Sequence, residues 1–301
     1  MSENKRIDEP TGTQTVGHEW DGIEELDTPM PRWWVLTFWA CIVWAIGYVI
    51  VYPAIPMFNS ATTGLWNWSS RGELAREMSA EAKRRAPNTA ALAAIPIDRL
   101  EADPKLLQAA VEGGRAAFKV HCVQCHGSGA AGSKGYPNLN DDDWLWGGDL
   151  QAIHYTLTHG VRNPDHKETR FSQMPAFDGV LNPGEIDAVI AHVRTLSGQQ
   201  KPNAASARGS ALFATNCATC HGPDGKGLRE FGGPNLTDQI WLYGGDKDTL
   251  RATITKSRYG VMPRWNNRLD PVTIKMLAAF VHSLGGGEAS PAPKAATNVQ
   301  P

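Results

Sequence analysis

Cysteine is scarce in this chain, and its placement leaves no room for a disulfide scaffold. Only 5 of the 301 residues are cysteines. Four of them fall in two C-x-x-C-H pentapeptides, which span residues 122–126 and 217–221. The fifth, Cys41, lies in an apolar run. We interpret it as a packing residue, because a free cysteine behaves as a small buried hydrophobe.

The chain also lacks a charge excess and clear strand signals. It has 29 Lys and Arg against 31 Asp and Glu, a net charge of −2 that gives no reason to expect a nucleic-acid partner. The charge is uneven along the chain. Residues 104–198 carry 8 basic and 10 acidic side chains, whereas residues 199–301 carry 12 and 7. With strand signals weak throughout, we predict an all-α fold.

Long apolar runs are absent except for one. Residues 33–52 form twenty consecutive positions without a charge, WWVLTFWACIVWAIGYVIVY. A helix of that length spans about 30 Å, the thickness of a hydrocarbon core. The preceding acidic segment is long and no small-residue cleavage site follows, so a cleaved signal peptide is not expected. The run predicts a transmembrane helix, preceded by an N-terminal segment, residues 1–32.

Basic residues flank this run unevenly. Arg32 comes directly before it, and the next basic residue, Arg71, lies nineteen positions after Tyr52. The positive-inside rule then predicts a cytoplasmic N-terminus.

The two pentapeptides predict two covalent c-type haems. C-x-x-C-H is the attachment motif for haem c, in which two thiols bond the porphyrin and the adjacent histidine ligates the iron. The cofactor-binding residues are then Cys122, Cys125, Cys217 and Cys220, and the proximal ligands are His126 and His221. A zinc site would need four ligands, and no further cysteine pair exists. A thioredoxin-like site would need a βαβ context that is absent.

An internal repeat surrounds the motifs. The cysteines recur at an offset of 95 residues, Pro137-Asn-Leu recurs as Pro234-Asn-Leu at 97, and Met174-Pro recurs as Met262-Pro at 88. Such self-similarity indicates two copies of one unit, predicted at residues 104–198 and 202–285. The drop in offset places nine extra residues in the first copy, between Gly160 and Met174.

Helix signals close each copy, and two further segments complete the chain. Asn182 and Asp270 are predicted N-caps, each followed by proline and an apolar helical pattern. The connecting region, residues 53–103, is predicted to hold a short helix at 71–85 and a loop at 88–97. Residues 286–301 are rich in Gly, Ala and Pro and are predicted to be disordered.

The distal iron ligands are predicted to be Met174 and Met262. Each stands in a Met-Pro pair before the closing helix of its copy, and a thioether raises the reduction potential relative to a second histidine. Three histidines are rival ligands for the first haem, but none has a counterpart in the second copy: His121, His154 and His159. The carbonyls of Pro137 and Pro234 are candidate acceptors for the second ring nitrogen of each proximal histidine.

Each copy resembles class I cytochrome c, with its C-x-x-C-H, P-N-L and Met-Pro elements. The whole chain is similar to the CcoP/FixP subunit family, the dihaem, membrane-anchored cytochromes c of cbb3-type cytochrome c oxidase. The most specific part is His18-Glu-Trp-Asp-Gly-Ile-Glu-Glu-Leu-Asp-Thr-Pro-Met-Pro-Arg-Trp-Trp34, which runs straight into the apolar run.

The resemblance implies electron transfer without a catalytic site of its own. Electrons from a cytochrome c donor would pass through the two haems to a monohaem cytochrome c subunit and a haem–copper, proton-pumping subunit that reduces oxygen. It also implies a single-pass protein of the bacterial inner membrane with periplasmic haem domains. We further hypothesise that the more acidic first copy receives a basic cytochrome.

Two questions stay open at this point. Each haem could take the methionine of its own copy, or the two could be exchanged, with Met262 on the first haem and Met174 on the second. The chain could also be a free-standing dihaem carrier or a subunit of another respiratory complex. A dihaem peroxidase or a haem sensor would require an open iron position.

Overall fold

The computed structural model describes residues 5–291. They divide into two compact units, one ending at Arg84 and one beginning at Arg85, and each is described by itself. The all-helical prediction is confirmed for nearly all of the regular structure, and the exception is one small hairpin near the N-terminus.

The hairpin pairs β1 (Thr15–Trp20) with β2 (Ile23–Leu26) in antiparallel register. Its two-residue turn is Asp21-Gly22, with φ of 49° and 81°. Positive φ at both positions is what a type I′ turn requires, and Asp-Gly is a strong local signal for it. The all-α prediction, which rested on weak strand signals, overlooked this Asp-Gly dipeptide.

Helix α1 (Arg32–Val51) is the predicted apolar run, shifted by one residue. It is long and apolar enough to cross a membrane, with a mean hydropathy of 2.1, and none of it is buried against the rest of the protein. The ring of Tyr52, directly after its end, contacts Trp66 and Trp68, with ring centroids 5.1 and 5.7 Å away. Clustered Trp and Tyr at a helix end suit a membrane interface.

Helix α2 (Ser70–Ala94) corrects the prediction for the connecting region, because the chain stays helical through Ala94, inside the segment 88–97 that was predicted to be a loop. The alanine-rich segment after Pro87 has high helix propensity. Burial of Leu92 further stabilises this part of the helix, since its side chain is only 2% exposed and belongs to a hydrophobic core of the second unit.

The second unit contains the other helices. They are α3 (Pro104–His121), α4 (Val123–His126), α5 (Leu150–His159), α6 (Pro183–Leu196), α7 (Ala204–Asn216), α8 (Ala218–His221), α9 (Lys247–Lys256) and α10 (Pro271–His282), with short 3-10 helices at Ile97–Ala102 and Arg229–Phe231. The predicted N-caps are confirmed, since the side chains of Asn182 and Asp270 accept backbone N–H bonds at the starts of α6 and α10.

The closing helices pack on the other copy. Helix α10 lies against α3, and α6 lies against α7. In both contacts the backbone of one helix lies directly against a glycine of the other, an arrangement that we call a glycine notch. A Cβ on Gly114 of α3 would stand 2.0 Å from the Met276 carbonyl oxygen of α10, and one on Gly209 of α7 would stand 1.9 Å from that of Ala188 in α6. Only glycine permits such close helix approach.

Two hydrophobic cores result, and each combines parts of both sequence copies. The first core joins α3 and α5 to α10, with Phe118 packed on Phe280 at a centroid distance of 5.2 Å. The second core joins α7 and α9 to α6 and includes Phe213 and Val189. The packed units therefore differ from the consecutive segments 104–198 and 202–285 expected from the repeat.

Part of the predicted disordered tail is anchored. Glu288 accepts a hydrogen bond from Gly148 N at 2.8 Å and pairs with Arg229, and Gly286 accepts from Trp144 Nε1 at 2.6 Å. These contacts order residues 286–288, whereas residues 292–301 of that prediction lie outside the described range.

Candidate haem sites

Each C-x-x-C-H motif forms a helical turn that gathers its three functional side chains. The first thiol residue, Cys122, caps α3, and the turn α4 then carries Cys125 and His126. His126 N donates to Cys122 O at 2.9 Å. The second motif repeats this geometry, with Cys217 at the end of α7 and Cys220 and His221 in α8.

The proximal histidines are oriented as predicted. His126 Nδ1 lies 3.1 Å from the Pro137 carbonyl oxygen, and His221 Nδ1 lies 3.1 Å from that of Pro234. A carbonyl can only accept, so Nδ1 carries the proton in both rings and Nε2 keeps its lone pair. The prediction of these two acceptors is confirmed.

Burial keeps both imidazoles neutral. It lowers the pKa of His126 and of His221, and the hydrogen bond to the proline carbonyl opposes this only in part. A neutral imidazole is the form that binds a metal.

Two equivalent glycines allow the proline carbonyls to come this close. Gly132 and Gly227 have φ of 68° and 81°, and their N–H groups bond the carbonyls of His126 and His221 at 2.8 and 2.7 Å. A Cβ on Gly132 would stand 2.4 Å from Tyr136 O. Both the left-handed backbone and the lack of space exclude a larger residue.

Met262 lies with the first core. It packs against that core together with Trp265, and its backbone pairs with Val161 through two 3.0 Å hydrogen bonds just beyond the end of α5. Trp265 N then bonds Leu157 O at 3.0 Å.

Met174 lies with the second core in the equivalent way. It packs against the core that contains Phe213, and its carbonyl accepts a hydrogen bond from the Ser257 hydroxyl just after α9. Phe177 N then bonds Ile254 O at 3.1 Å, as Trp265 N bonds Leu157 O in the first core. The structure therefore places Met262 in the same core as Cys122, and Met174 in the same core as Cys217. The second cysteine and the histidine of each motif follow in the adjoining short helices, α4 and α8.

Arg162, which the sequence reasoning missed, hydrogen-bonds the two segments in which the chain crosses from one core to the other. Its Nε donates to Gly260 O at 2.6 Å and its Nη1 to Ser172 O at 3.1 Å. These carbonyls lie two residues before Met262 and Met174, where the chain passes from one core to the other. No sequence signal distinguished this arginine from others in the insertion.

The buried polar atoms left without partners suit an anionic group. Among the described residues, three of the four buried side-chain nitrogen or oxygen atoms without a partner are N–H donors, namely Trp146 Nε1, Arg170 Nε and Trp241 Nε1. Buried donors normally have an acceptor, and haem carries two propionate carboxylates. Together with a thiol pair and a neutral imidazole, these donors fit a bound haem c.

Two of the rival histidines, and two arginines near Met262, have other partners. The His159 ring contacts His166 and Glu168, and the His121 ring lies 5.7 Å from that of Trp265. Arg258 stacks over Tyr243 at 4.7 Å and donates to Thr249 O at 2.7 Å, while Arg264 contacts Asn266.

The charge contrast between the two copies disappears when charges are counted by core. Residues 104–170 with 259–288 carry 10 basic and 9 acidic side chains, and residues 171–258 carry 9 and 8. The acidic residues of helix α6 count with the second core, and the basic residues of segment 259–288 count with the first, so the difference in net charge vanishes. Counted by core, net charge therefore gives no support to the hypothesis that the first unit selects a basic donor, and that hypothesis stays a prediction.

Three family models match separate parts of the chain. Residues 12–59 match the N-terminal domain of cytochrome oxidase-cbb3, FixP. Residues 111–197 match cytochrome c, and residues 204–281 match cytochrome C oxidase, cbb3-type, subunit III. The first match covers the hairpin and α1, and the other two each include one C-x-x-C-H motif.

Similar proteins cover almost the whole chain. The cbb3-type cytochrome c oxidase subunit CcoP of Cereibacter sphaeroides is 53% identical over 96% of this chain and 100% of its own length. The subunit FixP of a Bradyrhizobium strain is also 53% identical over 96% and 100%, and that of Rhizobium meliloti is 50% identical over 95% and 99%. On this identity and coverage, the chain belongs to the CcoP/FixP family of cbb3-type cytochrome c oxidase subunits.

Proposed function

We propose that the protein relays electrons through two covalently attached haem c groups within a cbb3-type oxidase. The observation that carries this proposal is that each methionine packs in the core that contains the first cysteine of the other copy's motif. The histidine of that motif directs Nδ1–H at a proline carbonyl, which leaves the Nε2 lone pair for the iron. Filling both axial positions of each iron leaves no open coordination site, which favours electron transfer over substrate chemistry.

The proposed ligands of the first haem iron are His126 and Met262, and those of the second are His221 and Met174. The thioether bonds would come from Cys122 and Cys125 in the first core and from Cys217 and Cys220 in the second. The packing of each methionine against the core of the opposite copy supports this exchanged assignment.

The proposed partners are those of the family. A cytochrome c donor reduces the haems, and the electrons pass on to a monohaem cytochrome c subunit and to the haem–copper subunit that reduces oxygen and pumps protons. This protein then contributes no catalytic site. Because the two packed units carry nearly equal net charge, we place the choice of donor in local surface features and not in net charge.

The proposed location is the bacterial inner membrane, with α1 as a single span, a cytoplasmic N-terminus and periplasmic haem domains. Arg32 before the span and the absence of basic residues until Arg71 support this orientation. Labelling of single cysteines placed before and after α1 in intact cells tests it.

The function is tested on the complex purified from its natural membrane. We expect two haem c groups per copy of this subunit, both low-spin, both reduced by cytochrome c, and both reoxidised by oxygen only when the haem–copper subunit is present. A subunit that purifies without oxidase partners would instead support a free-standing carrier. Reaction of a reduced haem c in this subunit with carbon monoxide or peroxide would contradict the proposal.

A further inference from the structure

The nine-residue insertion of the first copy brings three potential metal ligands together outside both haem sites. His159 Nδ1 lies 2.7 Å from His166 Nε2 and 3.2 Å from Glu168 Oε2, and the last two atoms are 3.7 Å apart. The side chains of His159 and His166 are 17% and 15% exposed, whereas that of Glu168 is 67% exposed. The cluster is therefore open to solvent on the carboxylate side.

The backbone of the insertion holds these side chains in place. Arg162 N bonds Arg170 O at 2.8 Å, and Arg170 N bonds Gly160 O at 3.1 Å, so the loop closes on itself beside the end of α5. Within the loop, Asn163 N bonds Thr169 Oγ1 at 3.0 Å. The Tyr155 hydroxyl of α5 donates to Glu168 O at 2.9 Å and fixes the loop to the helix.

We propose that His159, His166 and Glu168 bind a divalent transition-metal ion, with zinc as the best match. Two imidazole nitrogens and one carboxylate oxygen are an established zinc donor set, with water in the fourth position. Tetrahedral bonds of about 2.0–2.1 Å put neighbouring donor atoms roughly 3.3 Å apart. The three observed separations bracket that value, so small side-chain movements complete the site.

The local charge allows a cation to bind. With neutral histidines the donor set carries one negative charge, from Glu168. Arg170, at the end of the insertion, places its guanidinium over the rings of Tyr155 and Trp146, 4.8 and 5.5 Å from their centroids. Its positive charge thus lies against aromatic faces.

The site belongs to one half of the repeat. The counterpart of His159 in the second copy is Lys256, and the second copy has no residues that correspond to His166 and Glu168. His159 ends α5, and Val161, two residues later, pairs with Met262. A bound ion would therefore clamp the insertion to α5 next to the segment that carries Met262.

Metal binding is measured on the purified complex without a histidine tag. The protein is stripped with a chelator, incubated with zinc sulfate, desalted and analysed for zinc and haem iron by mass spectrometry. We expect one zinc per subunit that is absent from His166→Ala, and at least tenfold weaker binding by Glu168→Ala. Lys167→Ala, in the same loop between the two ligands, is the matched control and should bind zinc as the wild type does.

X-ray absorption at the zinc edge supplies an independent readout. We expect two histidine nitrogens and one carboxylate oxygen at about 2.0–2.2 Å. Equal haem content and equal melting temperature of His166→Ala and wild type without zinc show that the variant is folded. Equal zinc in His166→Ala and wild type, or zinc without histidine neighbours, would overturn the proposal and leave a simple N–H···N bond between the two imidazoles.

Discussion

The two proposed haem units are built alike but differ in what surrounds them. In both, a C-x-x-C-H turn follows a glycine-notched helix, a proline carbonyl orients the histidine, and a methionine segment runs along the end of a short helix. The insertion, the arginine that holds the crossing segments and a run of three aspartates, residues 141–143, occur only in the first copy. The shared parts form the proposed iron sites, and the differences lie around the methionine segments and between the units.

The largest expected effect tests whether the two helix notches are equivalent. Gly114→Ala and Gly209→Ala each place a methyl group within about 2 Å of a carbonyl oxygen on the opposing helix. Overpacking of this kind costs about 2 to 3 kcal/mol of unfolding free energy, which exceeds the gain from the higher helix propensity of alanine. Equilibrium denaturation of the haem-loaded protein measures the loss.

The control for this prediction is Gly184→Ala. Gly184 is also helical, and a Cβ there would lie 3.4 Å from Oδ1 of Asn182, an ordinary van der Waals contact. We expect it to be neutral or slightly stabilising. A cost at Gly114 but none at Gly209 would show that the second interface differs from the one described.

The next largest effect is expected at Arg162, which hydrogen-bonds the segments that lead to both methionines. Arg162→Ala removes charge-assisted hydrogen bonds to Gly260 O and Ser172 O, and such bonds contribute about 1.5 to 3 kcal/mol each. Because both bonds lie just before a methionine, we expect the reduction potentials of both haems to fall. Redox titration measures this, with the exposed Arg208→Ala as control. A change at one haem alone would contradict the shared role.

Much of this arrangement could be predicted from the sequence. The motifs located the cysteines and histidines, the repeat located the methionines, and the caps at Asn182 and Asp270 located the closing helices. Local patterns could not decide between own-copy and exchanged packing, because α6 and α10 have the same apolar spacing and α3 and α7 the same notch. Either pairing buries the same kinds of surface, so the choice depends on tertiary contacts such as those of Arg162.

Two other differences have local causes. A loop was predicted at 88–97, but the alanines after Pro87 favour helix and the burial of Leu92 holds the segment 88–94 in α2. The anchoring of Glu288 depends on Arg229, 59 residues away along the chain, which no local pattern reports.

The smallest effect is expected in the run of three aspartates, residues 141–143, that occurs only in the first copy. Burial, together with repulsion from Asp238 and Asp141, raises the pKa of Asp143 to about 6. The folded state then keeps a proton that the unfolded state loses, so stability falls as pH rises from about 4 to 6 and stays lower above that. The position equivalent to Asp143 in the second copy is Ile240, which does not titrate.

Asp143→Asn should therefore stabilise the protein at pH 7 by about 1 kcal/mol, a value reduced for partial exposure. It should have no such effect at pH 4. Asp142→Asn, at the exposed neighbouring position, is the control. Equal unfolding free energies for Asp143→Asn and wild type at pH 7 would contradict the assigned pKa shift.

The exchanged assignment of the methionines is tested most directly by counting intact haems in two double variants. If Met262 serves the haem at Cys122 and Cys125, His126→Gly with Met262→Ala removes both ligands from one iron and leaves the other haem with its histidine–methionine spectrum. His126→Gly with Met174→Ala then disturbs both irons and leaves no intact haem. We predict this outcome in samples with full haem content. The reverse result, with the intact haem in the Met174 double variant, would contradict the account.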